Sequence, residues 1–197
     1  MKRLLMFVLF LAIISLPASP VFGDNKDPGS EYYPLKVGTQ WTYEIGTVQV
    51  TMRVAKHEKV GDVMCGVVES SVDGKVVATE HISAGENGVF RHTFNGQKAS
   101  EPLCILKLPA KKDQTWAFNA KIANETVKGT FKSGEEEITV PAGKYKTVTA
   151  FTTECEINGN KAEFKYWFAP GVGVVKQTMS IGGGAIVSDL KKLEAVK

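Results

Sequence analysis

The stretch Tyr166-Trp167-Phe168-Ala169-Pro170-Gly171-Val172-Gly173-Val174-Val175-Lys176 constrains this chain more than any other. Three consecutive aromatics enter a Pro-Gly reversal, and a β-branched run leaves it. That is the pattern of a strand, a tight turn and a returning strand. A weaker copy stands 85 residues earlier, where Ala84, Gly88, Val89 and Arg91 keep the spacing of Ala169, Gly173, Val174 and Lys176.

Other pairs extend the repeat. Trp41 follows Pro34 as Trp116 follows Pro109, and the two tryptophans are 75 residues apart. At the same offset Lys111 matches Lys36, Asp113 stands in the place of Gly38, and Phe118 matches Tyr43. Asp73-Gly74 and Asn158-Gly159 are 85 apart, and each is a two-residue hairpin signal, because both residues tolerate positive φ. The sequence therefore predicts two similar meanders over about 33–94 and 108–179. The ten residues by which the offset grows are assigned to the hairpin Glu135–Gly143.

Strand-like alternation runs through the rest. Trp41, Tyr43 and Ile45 alternate with Thr42 and Glu44, and Val48, Val50, Met52 and Val54 continue the period of two. No long 3.6-residue apolar period is found; Asp189–Lys197 is read as a closing strand or a short helix. The expected class is all-β: an antiparallel, strongly curved sheet, wrapped as a half-barrel or open barrel. A four-residue loop over Ala84–Asn87 would set Ser83 opposite Gly88, His81 opposite Phe90 and Thr79 opposite His92. Glu80 would then face Arg91 as a surface ion pair.

The N-terminus is set apart. Lys2 and Arg3 precede the apolar run Leu4–Leu16, and Pro17–Gly23 is a breaker with small residues, so residues 1–23 read as a secretory signal peptide cut before Asp24. Residues 24–31 read as a flexible leader, and 32–197 as a single β domain. The chain has 24 Lys+Arg against 21 Asp+Glu, and the signal peptide carries two of those bases, so the exported part is near neutral. No basic stripe remains to follow a phosphate backbone, which argues against nucleic acid. No second apolar run is long enough to span a membrane. Cys65, Cys104 and Cys155 lie in strand-like runs and are expected as buried free thiols.

No catalytic spacing is present. Gly-x-Ser-x-Gly, His-Glu-x-x-His and phosphate-loop patterns are all missing from the sequence. His57, His81 and His92 form no recognised ligand spacing, so no metal or cofactor is implied. Glu135-Glu136-Glu137 reads as a solvated run. The candidate binding residues are aromatics at matching places in the two copies: Trp41, Tyr43, Trp116, Phe118, Tyr166 and Trp167. They suit either a filled core or the wall of a concave site for an apolar ligand.

Three motifs carry a resemblance. Tyr33-Pro34-Leu35-Lys36-Val37-Gly38 with Trp41 and Tyr43, Val140-Pro141-Ala142-Gly143-Lys144-Tyr145, and Tyr166–Gly173 resemble a group of exported bacterial β-rich proteins of unknown function. That group is similar in plan to the periplasmic lipoprotein-carrier half-barrels. The resemblance implies a periplasmic or extracellular β-protein and brings no catalytic residues. The expected function is non-enzymatic binding of an apolar small molecule or a protein partner on the concave face. The alternatives are an envelope-associated structural component and a hydrolase with an unrecognised site.

Overall fold

The computed structural model describes residues 28–196; the expected signal peptide lies outside them. Twelve strands follow one another. They are β1 (Gln40–Ile45), β2 (Val48–Val60), β3 (Val63–Val72), β4 (Lys75–Gly85), β5 (Gly88–Phe94) and β6 (Gln97–Lys107), then β7 (Thr115–Ile122), β8 (Glu125–Val140), β9 (Gly143–Ile157), β10 (Asn160–Ala169), β11 (Gly173–Ile181) and β12 (Gly184–Glu194). Each pairs antiparallel with its chain neighbours, and β1 pairs with β12, so the sheet closes into a barrel. The curved antiparallel sheet expected from the alternation is present, and its curvature continues to closure. Asp189–Glu194 is strand.

Three Asx-Gly turns have the same backbone. Asp73-Gly74, Asn95-Gly96 and Asn158-Gly159 all hold positive φ at both residues, which matches the right-handed twist of the flanking strands. They lie at one end of the barrel, with the β1–β2, β7–β8 and β11–β12 turns. The opposite end is plugged by the segment before β1. Leu35 is fully buried there and Tyr33 packs at 5.7 Å from the Trp41 ring. Of the leader expected over 24–31, residues 28–31 are tied to this end: Ala84 N–H donates to Pro28 C=O and Gly171 N–H to Glu31 C=O, each at 2.7 Å.

The interior is filled unevenly. Across β7, β8 and β10 an aromatic chain packs solid: Trp116 stacks on Phe131 at 5.6 Å, Phe118 lies 4.9 Å from Phe131, and Tyr166 links Phe131 to Phe168. The β1–β5 side has fewer aromatics. The outward face carries ion pairs, among them Lys191–Glu44 at 2.7 Å, Lys161–Glu163 at 3.0 Å and Lys128–Glu156 at 3.1 Å. A lipid-facing barrel would carry an apolar band there instead.

One seam is thin. β6 and β7 share a single paired position, Ala99↔Ile122. Pro102 in β6 has no N–H to offer. Side chains bridge the gap: the Trp116 indole donates to Cys104 C=O at 2.9 Å, and Lys121 N–H donates to Ser100 Oγ at 2.9 Å.

Candidate functional site

The interior between β1–β5 and β10–β12 leaves a cavity of about 300 Å³. Its walls come from alternate residues of several strands, as inward-pointing positions of a barrel must. Tyr43, Ile45, Val50, Met52, Ala78, Met179 and Ile186 make it largely apolar. Phe94 and Ile186 line the cavity and are also solvent-exposed beside their turns. The cavity therefore reaches water at the hairpin end. The plugged end supplies its floor: Tyr33, Glu80, Arg91 and Tyr166.

The floor holds charge. Arg91 Nε lies 3.0 Å from Glu80 Oε1, and Arg91 Nη2 lies 3.5 Å from Glu80 Oε2. Their side chains are only 19% and 10% exposed, so the pair stands inside the barrel and not on its surface. Burial works against the guanidinium charge, but Glu80 outweighs it and holds the Arg91 pKa above its usual value. The Tyr166 hydroxyl beside Arg91 acts in the same direction. Burial raises the Tyr33, Tyr43 and Tyr166 pKa values, so all three phenols stay neutral. Tyr43 donates to Val174 C=O at 2.7 Å, which fixes its ring against the wall.

The β4–β5 register differs from the four-residue loop expected. The turn is Glu86-Asn87 between Gly85 and Gly88, Ser83 pairs with Phe90, and His81 pairs with Thr93 after a bulge at His92. The extended strand reaches to Gly85 because glycines stand at both shoulders of the turn. The histidines find hydroxyls: His81 Nδ1 is 2.6 Å from Thr93 Oγ1, and His92 Nε2 is 2.8 Å from Ser83 Oγ. Glu58 lies 3.8 Å from His81, beyond hydrogen-bond reach, and Thr93 is buried, so the His81–Thr93 pair does not form an accessible nucleophile with its base.

Of the six aromatics singled out in the sequence, Tyr43 and Tyr166 line the cavity together. Trp41 lies at the plugged end, where its indole donates to Val172 C=O at 2.7 Å. Trp116 and Phe118 belong to the solid aromatic chain. Trp167 points to the other face of β10 from Tyr166. There it donates to Glu136 Oε2 at 2.7 Å, with Lys165 Nζ 4.5 Å from its ring. Glu136 is thus a paired group and not a freely solvated one. The aliphatic and thioether walls and the Glu80–Arg91 floor complete the site beyond those aromatics.

The geometry defines a class: a closed, antiparallel, up-and-down barrel with an interior cavity open at its hairpin end. No family model and no curated protein sequence matches the chain. Solved structures do. A protein of Bacteroides fragilis described as exported, with a YmcC-like fold, matches at a TM-score of 0.57 and 13% identity over 85% of this chain and all of that one. A protein of Parabacteroides distasonis described as a lipoprotein matches at a TM-score of 0.50 and 13% identity over 83% of this chain and 98% of that one. At such identity the likeness is one of fold.

Proposed function

We propose that this is an exported, non-enzymatic barrel that binds a small apolar or amphipathic molecule inside it. The observation that carries the reading is the apolar cavity of about 300 Å³ with an open end. Ligand sites are concave, mainly apolar and furnished with a few placed polar groups, and this cavity has all three attributes. Closure of the sheet favours a small molecule over a protein partner, because among the described residues the concave face is enclosed by the barrel wall and opens at the hairpin end. The apolar N-terminal run within residues 1–23 and the exported neighbours of the same fold support export, after which residues from Asp24 onward would remain.

Two measurements test this. Native mass spectrometry of protein purified gently from its own envelope should show a bound small molecule. The emptied protein should then raise the fluorescence of N-phenyl-1-naphthylamine, a probe that brightens in apolar surroundings. Ile45→Glu and Met179→Glu, which place a charge on the wall, should abolish the increase. A barrel that carries no ligand and leaves the probe dark would refute the reading.

A further inference from the structure

The floor of the cavity specifies more than apolarity. Its two charged groups already neutralise each other, so the site has no net charge to offer a ligand. Yet Arg91 is incompletely satisfied. Its Nε is enclosed against Glu80 Oε1 at 3.0 Å, so the donors left for a ligand are those of its terminal nitrogens. A guanidinium has five N–H donors. Glu80 uses part of that capacity, and Arg91 is among the residues lining the cavity. The Glu80 carboxylate beside it can only accept. Donor and acceptor therefore stand side by side at the blind end of an apolar chamber.

We infer that the ligand is an amphiphile with a neutral head that both accepts and donates hydrogen bonds, an amide or an alcohol, seated on Arg91 and Glu80 with its chain toward the open end. The inference rests on reading the cavity as a ligand site. A carboxylate head would place a second anion beside Glu80 and leave one negative charge uncompensated in a site poor in water. A neutral head accepts from Arg91 and donates to Glu80 without that cost. The chain length follows from volume. At about 30 Å³ for each water-sized group, the cavity holds roughly ten heavy atoms. Longer chains would emerge past Phe94 and Ile186, whose exposed side chains would cover them. Met52 and Met179 give the wall unbranched side chains that adapt to a flexible tail.

The test displaces N-phenyl-1-naphthylamine from the protein with decanamide, decan-1-ol and decanoate, at a pH where decanoate is ionised. In the wild type decanamide should displace the probe at lower concentration than decan-1-ol, because an amide accepts and donates through separate atoms, and at roughly tenfold lower concentration than decanoate, about the worth of one charge-assisted hydrogen bond. Glu80→Gln should reverse that order, because decanoate then supplies the anion that Arg91 has lost. Should that variant fail to fold, Glu80→Gln/Arg91→Met leaves no unpaired charge. The double variant should keep the probe and lose the advantage of decanamide over decan-1-ol. Decanoate as the tightest ligand of the wild type, an order unchanged by Glu80→Gln, or an amide preference surviving in the double variant would overturn the head assignment while leaving the cavity reading intact. Failure of the probe and all three compounds to bind would overturn both.

Discussion

Gly66→Ala tests how the plugged end is held. Gly66 lies in β3, and the fully buried Leu35 side chain sits directly over it. A Cβ built on Gly66 would stand 2.9 Å from Leu35 Cδ2, 3.2 Å from its Cβ and 3.3 Å from its Cγ. Ordinary carbon contacts lie near 3.5–4.0 Å, about the optimum of the dispersion well. Leu35 has little room to retreat, since its carbonyl is also within 2.7 Å of His57 Nε2. Overpacking of this kind costs about 1–3 kcal/mol. Leu35→Ala alone leaves a cavity and should cost about 2–5 kcal/mol. The double variant should be far better than the sum, because the methyl added at position 66 enters space that the leucine vacated. A coupling of about 1–3 kcal/mol is expected. Urea unfolding followed by tryptophan fluorescence reads it, since Trp41, Trp116 and Trp167 are all buried. Costs that add within about 0.5 kcal/mol would refute the packing argument.

Two further expectations concern titratable groups. Burial raises the Glu136 pKa, but hydrogen bonds from Lys165 and Trp167 outweigh it and hold the carboxyl below its ordinary 4.5. A depressed folded pKa gives stability that is complete above the unfolded value and is lost as pH falls through the folded one. The urea midpoint should therefore drop on acidification below 4.5, and Glu136→Gln should flatten that slope; an unchanged slope would remove the linkage. Burial also pushes the Cys65, Cys104 and Cys155 thiols up to about 11. Iodoacetamide should spare them in the folded protein at neutral pH and label all three after denaturation without reductant, as counted by intact mass. Labelling of one thiol only would mean that a bridge forms.

The strands were legible because their alternation and Asx-Gly turns are local properties. The β5–β6 turn at Asn95-Gly96 carries the same signal as Asp73-Gly74, and the start of β6 could have been read from it. The β4–β5 register was not legible from alternation. Exchanging a four-residue loop for Glu86-Asn87 moves the partners of Ile82 and Ser83 by two positions, and the bulge at His92 moves those of Glu80 and His81 by three. The place of Glu80 was legible: it shares a face with Ile82 and Ala84, both buried, and period two sets all three inside. Two charges among apolar neighbours suggested a surface pair, because unpaired burial is costly; pairing is what permits them inside. Closure of β1 on β12 had no local signal, since it joins the two ends of the domain. The same holds for the cavity, which exists because Met and Val line one side while Phe131, Phe118 and Trp116 fill the other.

The corner before β1 recurs before β7, and it offers the sharpest test of an internal duplication. In the first, Thr39 N–H donates to Lys36 C=O, Gly38 N–H to Val54 C=O, and Val54 N–H to Thr39 C=O. In the second, Gln114 N–H donates to Lys111 C=O, Asp113 N–H to Ser133 C=O, and Ser133 N–H to Gln114 C=O. Gly38 and Asp113 both hold positive φ, at 95° and 61°. Gly38 and Asp113 are 75 residues apart, but Val54 and Ser133 are 79 apart, so part of the added length lies in the β7–β8 hairpin as well as beyond it. If the corners descend from one ancestor, the first should serve in place of the second. Lys112→Val/Asp113→Gly/Gln114→Thr writes the first corner onto the second. It removes an exposed, solvent-screened ion pair between Asp113 and Lys132, and the Gln114 Oε1 that is buried without a partner. Glycine at 113 relieves a positive φ, a gain that its extra unfolded freedom partly offsets. The net change in unfolding free energy should stay within about 1 kcal/mol. A loss above about 2 kcal/mol, in the range of a broken cap or strained backbone, would mean that the corners are held differently and that their shared bonds are convergence on a common turn.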